Sequence, residues 1–345
     1  MTYHSDIYER FRAAYARDEA AYIRPWLVRW NYQDKKQVDY EAHLPQDFYT
    51  YGGPKELENW FNWMQEYPLP DYFQDERVAE WTRLSRACDE ALFQAQGLAF
   101  PGATYDGTIG RYNAQDYLLA HFYPVPERQQ PLRVLDFGAG YGRQANLWSQ
   151  LKPEATFVAM DAIPKSYCLQ HLYYSQLGIE SQDYVIDNHG FNLSSGKPGL
   201  YHLPTWRADL LPDNSFDLIL CVQVLPELGG QLVKEMVAVF QRILKPGGAL
   251  LIRDHDRKWR PGFQYDLNPY LEKKGFVLEF RPHVVNMSDL MGMPRIWRKE
   301  DPAATASMTM ERKELIRQWM RNVDAATGGL LSKVKRGLRS SPASS

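Results

Sequence analysis

The chain has 345 residues, 44% of them hydrophobic, which suffices for a packed core and excludes a wholly disordered protein. Its 40 basic and 42 acidic residues give a net charge of −2, so no overall field draws it to nucleic acid. No apolar run approaches the ~20 residues needed to span a bilayer, and the N-terminal residues lack a signal peptide's apolar stretch.

Residues 1–131 predict a mainly helical accessory region that caps the substrate site. Apolar side chains recur there at helical spacing in three segments. The segments contain Ile7, Phe11 and Tyr15; Leu57, Trp60, Phe61 and Met64 within 54–66; and Val78, Trp81, Leu84, Cys88 and Leu92 within 75–96. An aromatic content of 14% fits either core packing or an aromatic substrate pocket.

Residues 132–300 alternate short apolar runs with helical patterns. The expected strands cover 133–137, 156–161, 216–222, 249–252 and 276–278, and helices are expected to end near 151, 177, 244 and 275. This alternation predicts a doubly wound, Rossmann-like α/β fold with a mainly parallel sheet. Residues 182–200 are rich in Gly, Asn, Ser and Pro, and are expected to form an insertion over the active site. Residues 301–345 predict a helix over 309–323 and a frayed basic tail.

A glycine-rich segment carries the strongest functional signal. One buried strand runs into a turn with Gly138, Gly140 and Gly142, where glycine permits unusual backbone angles and close approach to a ligand. A dinucleotide fingerprint would need a glycine at 143, where Arg143 stands. Asp136 precedes the turn and would face a pyrophosphate unfavourably, but it suits a cation such as the ammonium of a methionine moiety.

A second acid ends the next expected strand. Asp161 lies 25 residues after Asp136, at a strand end where a carboxylate can accept both hydroxyls of an adenosine ribose. An acid at the end of each of two successive strands is stronger evidence for the kind of ligand than the glycines alone.

These segments resemble the class I S-adenosylmethionine-dependent methyltransferases over about residues 132–280. The matching stretches are VLDFGAGYG, VAMDA, RADLLPDNSFDLILCVQVL and LKPGGALLI. The resemblance implies S-adenosylmethionine as cofactor, with the ribose held at Asp161 and Ala162. It places Asp209 at the adenine amino group, followed by Leu210, and Gln223 in the segment beneath the sulfonium.

A narrower resemblance concerns the acceptor. IGRYN at 109–113, DAIPKSYCLQHLYYSQLG and VQVLPEL are similar to a group of sugar O-methyltransferases, although the segment from Asp161 to Pro164 is one residue longer here. In many related enzymes a segment such as 111–113 folds over the carboxylate end of the cofactor. Arg111 therefore either pairs with that carboxylate or packs structurally.

A hydroxyl acceptor needs a base near the ends of the fourth and fifth expected strands. His255 is the first choice, because an imidazole titrates near neutral pH. Glu227 is the second, as a base or as a ligand for a sugar hydroxyl; each residue has the alternative of an ordinary surface position. Asp254 and Asp256 are too few to specify a metal site, so no metal is expected.

The leading hypothesis is O-methylation of a small molecule, such as a sugar or a glycosylated natural product. N- or C-methylation and a non-catalytic protein that binds the cofactor are the alternatives, and Asp136 and Arg143 disfavour a nicotinamide dehydrogenase. Cys88, Cys168 and Cys221 lie far apart, which predicts a reducing, cytoplasmic location without disulfides. Nucleic-acid and membrane partners are not expected, and a homodimer stays open.

Overall fold

The structure is a computed structural model of the chain. It describes residues 3–19, 53–65, 75–122, 132–187, 191–193, 196–225, 228, 230–254, 267–280, 293–301, 314, 317–318 and 320–322. No helix in this described part is long and apolar enough to cross a membrane.

Eight strands in the described ranges form one sheet. They are β1 (Arg133–Phe137), β2 (Thr156–Asp161), β3 (Ser181–Asp183), β4 (Gly199–Pro204), β5 (Phe216–Val222), β6 (Leu244–Asp254), β7 (Phe276–Phe280) and β8 (Met293–Lys299). Their order is β3-β4-β2-β1-β5-β6-β8-β7, and all pairs are parallel except those of β8 with β6 and β7. The predicted α/β class with a mainly parallel sheet is confirmed.

Helices cover both faces of this sheet. They are α1 (Tyr3–Glu19), α2 (Glu56–Gln65), α3 (Glu76–Ala95), α4 (Ile109–Phe122), α5 (Arg143–Leu151), α6 (Pro164–Gln176), α7 (Gly230–Ile243) and α8 (Leu267–Lys273). Side chains that alternate along the central strands enter two separate cores. One core contains α2, α3, α4 and α5, the other contains α1, α7 and α8, and α6 contributes to both.

The strand order reverses beside β1, which pairs with β2 on one side and β5 on the other. In open α/β sheets, ligands bind in the crevice at the carboxyl ends of the strands where the order reverses. The chain therefore forms a binding crevice after β1, where the glycine-rich turn lies.

Four elements differ from the sequence expectations, because each contains buried polar side chains that interrupt the apolar pattern. The two ends of the expected insertion at 182–200 belong to the sheet as β3 and β4; β3 has three polar residues, and His202 interrupts the apolar run of β4. Helix α4 is buried almost all round and has no apolar stripe. In β8, the cationic Arg295 and Arg298 are buried against Asp254 and Glu279.

The other expected elements match the structure within a few residues. The three N-terminal amphipathic patterns correspond to α1, α2 and α3, although Tyr15 and Trp60 are only half-buried. The expected strand at 249–252 extends to Leu244–Asp254. Within the expected C-terminal helix, residues 314, 317–318 and 320–322 are helical, and the other positions lie outside the described residues.

A buried hydrogen-bond cluster joins the N-terminal helices to the helix after the glycine turn. The Asn113 side-chain amide on α4 donates to Ser85 Oγ of α3 at 2.7 Å and to Asn146 Oδ1 of α5 at 3.0 Å. Its Oδ1 accepts from Gln144 Nε2 at 2.8 Å. Because polar groups buried without partners are costly, Asn113 fixes α3 and α4 against α5.

We expect Asn113→Ala to lower the free energy of unfolding by about 1–3 kcal/mol, because it leaves the buried partners without hydrogen bonds. Urea denaturation measures the loss. Asn59→Ala is the matched control: Asn59 is exposed on α2 and, among the described residues, its side chain donates only to Glu56, at 3.3 Å. The loss of stability should therefore stay within about 0.5 kcal/mol. Equal effects of the two substitutions would contradict this role for Asn113.

Candidate active site

The glycine-rich turn adopts a backbone that other residues resist. Gly138, Gly140 and Gly142 have φ values of 73°, 60° and 93°. A Cβ atom at Gly138 would lie 2.3 Å from Cγ2 of Val224, and one at Gly142 would lie 2.7 Å from the Tyr174 hydroxyl oxygen. The sequence therefore needs glycine here for both its backbone angles and its close packing.

The turn is hydrogen-bonded to the end of β2. The N–H groups of Gly138 and Ala139 both donate to the carbonyl of Met160, at 2.9 and 3.0 Å. The next N–H, that of Gly140, donates to Oδ2 of Asp161 at 3.1 Å. Oδ1 of Asp161 accepts from the N–H of Ile163 at 3.0 Å. These bonds bring the ends of β1 and β2 together and fix the Asp161 carboxylate at the crevice.

Asp136 lies directly before the turn, with 5% of its surface exposed. Burial raises its pKa to about 7, with further increases from the nearby Asp116 and Asp161 carboxylates and an opposing contribution from Arg143. Among the described residues, no hydrogen bond or ion pair engages its carboxylate. Burial likewise raises the pKa of Asp161 to about 7. A cationic ligand would stabilise the charged form of these two carboxyls.

A pocket of about 370 Å³, including its open mouth, lies at the carboxyl ends of β1 and β2, with Asp161 in its lining. It is mostly apolar, as expected for a site that takes the ring of a ligand. Asp161 and Thr205 are the polar side chains of its lining. The lining residues are Phe137, Gly138, Asp161, Ala162, Thr205, Val224, Leu228, Leu232 and Met236.

A strained residue follows β5 on the other side of the crevice. Gln223 has a φ of 59°, which is rare for a residue other than glycine and concentrates at functional sites. Its N–H donates to the carbonyl of Arg253 at 2.7 Å. Arg253 is held in turn by two 2.7 Å bonds to Asp116 of α4, and its guanidinium lies over the ring of Tyr112. Helix α4 thus supports the backbone at Gln223.

Three other residues predicted from the sequence do not line this pocket. Asp209 is 45% exposed and is bound by Arg207 at 2.9 Å, and Leu210 follows it half-buried. Arg111 is half-buried in the first turn of α4. Arg143, in contrast, donates to the Ile109 carbonyl at 2.7 Å and ties the start of α4 to the glycine turn.

Both candidate bases, His255 and Glu227, lie outside the described residues. Within the described ranges, no group of three or more His, Cys, Asp or Glu side chains could hold a metal ion. Asp254, considered above for a metal, is instead bound by Arg295 in a buried ion pair.

Several residues of the crevice were missed from the sequence. Thr205 and Met236 line the pocket, and Gln170 of α6 donates to the carbonyl of Gly140 at 2.6 Å. Val224 and Leu228 belong to the VQVLPEL stretch that carried the narrower resemblance, so that stretch held a usable signal. Gln170 lies in the DAIPKSYCLQHLYYSQLG stretch of the same resemblance, but nothing in that stretch distinguished it, because a glutamine within a helix is usually exposed.

The fold and the crevice define a class I S-adenosylmethionine-dependent methyltransferase. A family model described as a methyltransferase domain matches residues 110–324, more than half of the chain, and the protein belongs to this family. Its cofactor is S-adenosylmethionine. The residues present fit that group: a buried carboxyl that has no hydrogen bond or ion pair among the described residues, a second carboxyl at the end of β2, and an apolar pocket that this second carboxyl lines.

No curated protein matches this sequence. Solved structures with a similar fold include the [4+2]-cyclase SpnF, 15% identical with a TM-score of 0.41 over 64% of this chain and 96% of that one. A SAM-dependent methyltransferase from Aquifex aeolicus is 17% identical, with a TM-score of 0.38 over 60% and 97% of the two chains. The Haemonchus contortus phospholethanolamine N-methyltransferase 2 is 17% identical, with a TM-score of 0.33 over 55% and 41%.

We expect Gly138→Ala to weaken binding of S-adenosylhomocysteine at least tenfold, because the new methyl group meets Val224 within the crevice. Calorimetric titration measures this. Gly97→Ala is matched in backbone strain, since Gly97 has a φ of 67° but nothing within 4 Å of its Cβ position. That control should lose about 1 kcal/mol of stability and bind normally. Normal binding by Gly138→Ala would contradict the close approach at this turn.

We expect affinity for S-adenosylhomocysteine to fall as the pH falls through 7. Asp136 and Asp161, each with a pKa of about 7, must lose protons to accept from an ammonium and from ribose hydroxyls. Each protonation weakens binding by up to about tenfold per pH unit. Titration at pH 6–8.5 in buffers of different ionisation heat should show proton release that Asp136→Asn reduces. Affinity independent of pH over this range would contradict it.

Proposed function

We propose that the protein methylates a hydroxyl group of a small molecule, such as a sugar or a glycosylated natural product, at the crevice after β1. The observation that carries the cofactor half of this proposal is the pair of buried carboxyls, Asp136 and Asp161, on either side of the glycine turn. The acceptor half is supported by the resemblance of residues 109–113 and of the VQVLPEL stretch to sugar O-methyltransferases.

Each end of the cofactor has proposed partners in the crevice. Asp136 takes the ammonium of the methionine moiety, and Asp161 takes the ribose hydroxyls. Gly138 lets the backbone approach, because even one methyl group there would contact Val224. The apolar pocket that includes Ala162 is proposed to receive the adenine. The roles of Asp209 at the adenine amino group and of Leu210 beside it rest on the resemblance alone.

The far side of the crevice is proposed to orient the reacting centre. Gln223 passes beneath the sulfonium, and its backbone is fixed by Arg253 and Asp116. Arg111 is proposed to pair with the carboxylate of the cofactor. When bound, S-adenosylmethionine supplies an electrophilic methyl group. Much of the rate then comes from holding the acceptor oxygen in line with that methyl at near-contact distance.

The N-terminal 131 residues are proposed to form the cap of the acceptor site, with 132–300 as the cofactor-binding domain and 301–345 as an appended helix and tail. Trp60 of α2 supports this role: its ring lies 3.5 Å from where a Cβ of Gly140 would be, so α2 reaches the glycine turn. An indole ring is of the kind that stacks against a sugar face. A cytoplasmic location and a homodimer are also proposed.

Calorimetric titration with S-adenosylhomocysteine and with NAD⁺ tests the cofactor site. We expect micromolar binding of the first ligand alone, weakened at least tenfold in Asp136→Asn and Asp161→Asn. Binding of NAD⁺ instead, or wild-type affinity for S-adenosylhomocysteine in both variants, would contradict the assignment. Transfer of a labelled methyl group to candidate acceptors then separates O-methylation from N- or C-methylation by the position of the label.

General-base assistance predicts a separate pattern. Replacing the true base by alanine, at His255 or Glu227, should lower kcat by about 10²- to 10⁴-fold while affinity for S-adenosylhomocysteine stays unchanged. The variant should also lose the pH dependence of kcat that the base produces. If neither substitution changes kcat, deprotonation by these two residues is contradicted.

A further inference from the structure

A chain of buried polar side chains lies behind the glycine turn, between α6 and the edge strands. It consists of Gln170, His202, Asp183 and His171, whose exposures are 0%, 0%, 2% and 7%. The members come from α6, β3 and β4, and the chain ends on the two groups that shape the proposed ribose site, Gly140 and Asp161. Such an arrangement is costly to bury unless every member is hydrogen-bonded.

The amide of Gln170 has one favourable orientation. Its Nε2 donates to the carbonyl of Gly140 at 2.6 Å and lies 3.3 Å from Oδ2 of Asp161. Both partners accept hydrogen bonds, so a flipped amide would set its oxygen against two acceptor oxygens. Oε1 of Gln170 therefore faces His202, whose Nε2 lies 2.8 Å away.

Asp183 acts as an acceptor on all sides. Its Oδ1 accepts from the Tyr167 hydroxyl at 2.8 Å and from the N–H of Val185 at 2.9 Å. Its Oδ2 lies 3.2 Å from Nδ1 of His171 and 2.9 Å from Nδ1 of His202. Burial raises the pKa of Asp183, but the two histidines outweigh burial and leave it below its ordinary value. Asp183 is therefore an ionised carboxylate.

Both ring nitrogens of His202 consequently face acceptors. Nδ1 faces the Asp183 carboxylate, and Nε2 faces the oriented oxygen of Gln170. A neutral imidazole carries one N–H, so it can satisfy one of these two contacts, whereas an imidazolium satisfies both. The set of hydrogen bonds is complete only with a doubly protonated ring.

We propose that Gln170 is a positioning residue of the cofactor site, and that His202, when doubly protonated at acidic pH, adds a hydrogen bond that holds its amide in place. Gln170 fixes the turn at Gly140 and the side chain of Asp161 relative to each other. The proposal rests on the cofactor site proposed above, because the groups it positions are those assigned to the cofactor. His202, which holds the amide of Gln170, lies on β4, and two strands, β2 and β1, separate β4 from β5 on the other side of the crevice.

The surroundings of His202 determine how this support responds to pH. The titratable groups that face the ring are Asp183 from β3, and Tyr167, His171 and Tyr174 from α6; Ala159 of β2 is its apolar neighbour. Burial lowers the pKa of His202 below its ordinary value, against the opposing effect of Asp183. The fraction of His202 in the imidazolium form therefore increases as the pH falls. The imidazolium form of His202 holds the turn in order, and the cofactor binds the ordered turn. Binding of the cofactor must therefore favour the imidazolium and raise the pKa of His202.

The first experiment compares S-adenosylhomocysteine affinity, pH by pH, in Gln170→Glu, Gln170→Leu and the wild type. We expect at least tenfold weaker binding by both variants at pH 8. Gln170→Glu should recover relative to the wild type towards pH 5.5, because a protonated carboxyl can again donate to the Gly140 carbonyl. Gln170→Leu should not recover. The ratio to the wild type removes the titration that Asp136 and Asp161 contribute to every variant.

Gln150→Leu is the matched control, since Gln150 is an exposed glutamine on α5, away from the crevice, and should bind normally. If Gln170→Leu fails to fold, the inference is tested by Gln170→Glu alone, through the pH dependence of its affinity for S-adenosylhomocysteine relative to the wild type. Wild-type affinity in both Gln170 variants at every pH, beside weakened binding in Asp161→Asn, overturns this inference and leaves the cofactor site standing. No binding by the wild type overturns both.

A second measurement tests the charge on His202. Nitrogen-15 NMR of histidine-labelled protein should show both ring nitrogens of His202 protonated at the acid end of its titration. The midpoint should move to higher pH when S-adenosylhomocysteine saturates the protein. A ring whose Nε2 is never protonated, or a midpoint unmoved by the ligand, overturns the role of His202.

Discussion

The hydrogen bonds between the glycine turn and the end of β2 are the constraint on which the rest of the site depends. Two successive N–H groups, those of Gly138 and Ala139, converge on the Met160 carbonyl, and the third reaches Asp161. Only a backbone with positive φ at Gly138 and Gly140 can aim them this way. The turn therefore sets the opening of the crevice and also the orientation of the acid at its edge.

The N-terminal helices pack onto the outer side of this same turn. Arg143 binds the start of α4, and Asn113 ties α3 and α4 to α5. The pair Asp116–Arg253 continues the connection from α4 to the backbone at Gln223. Helix α4 thus contacts both sides of the crevice, which explains why it is buried almost all round and carries polar residues inside.

The sequence predicted the parts of the fold that obey simple periodicity. Strands β1, β2 and β5 are mostly apolar, and each was predicted with its observed ends. The missed elements, β3, β4, α4 and β8, each bury polar side chains whose partners come from distant parts of the chain. His202 reads as a break in a strand until Asp183 and Gln170 are placed beside it.

The same distinction applies to the site. Asp136, Asp161 and the three glycines could be identified because their positions relative to strand ends follow from the local sequence. Gln170 and Trp60 could not, because a helix presents them to the turn only once it is packed. Local spacing predicts which groups follow a strand, whereas contacts between layers require the fold itself.

The concentration of unsatisfied polar atoms around the turn has a thermodynamic consequence. Among the described residues, Asp89 Oδ1 and the hydroxyls of Tyr141 and Tyr174 are buried there without hydrogen-bond partners, and the buried Asp136 carboxyl has neither a hydrogen bond nor an ion pair. Between pH 4 and 7 the folded protein binds protons on Asp136 and Asp161 that the unfolded chain releases, so these carboxyls favour folding less as the pH rises. Near neutral pH the ligand-free site is thus destabilised by its own acids. A cationic ligand removes that penalty, so affinity and stability are coupled through the same two carboxyls.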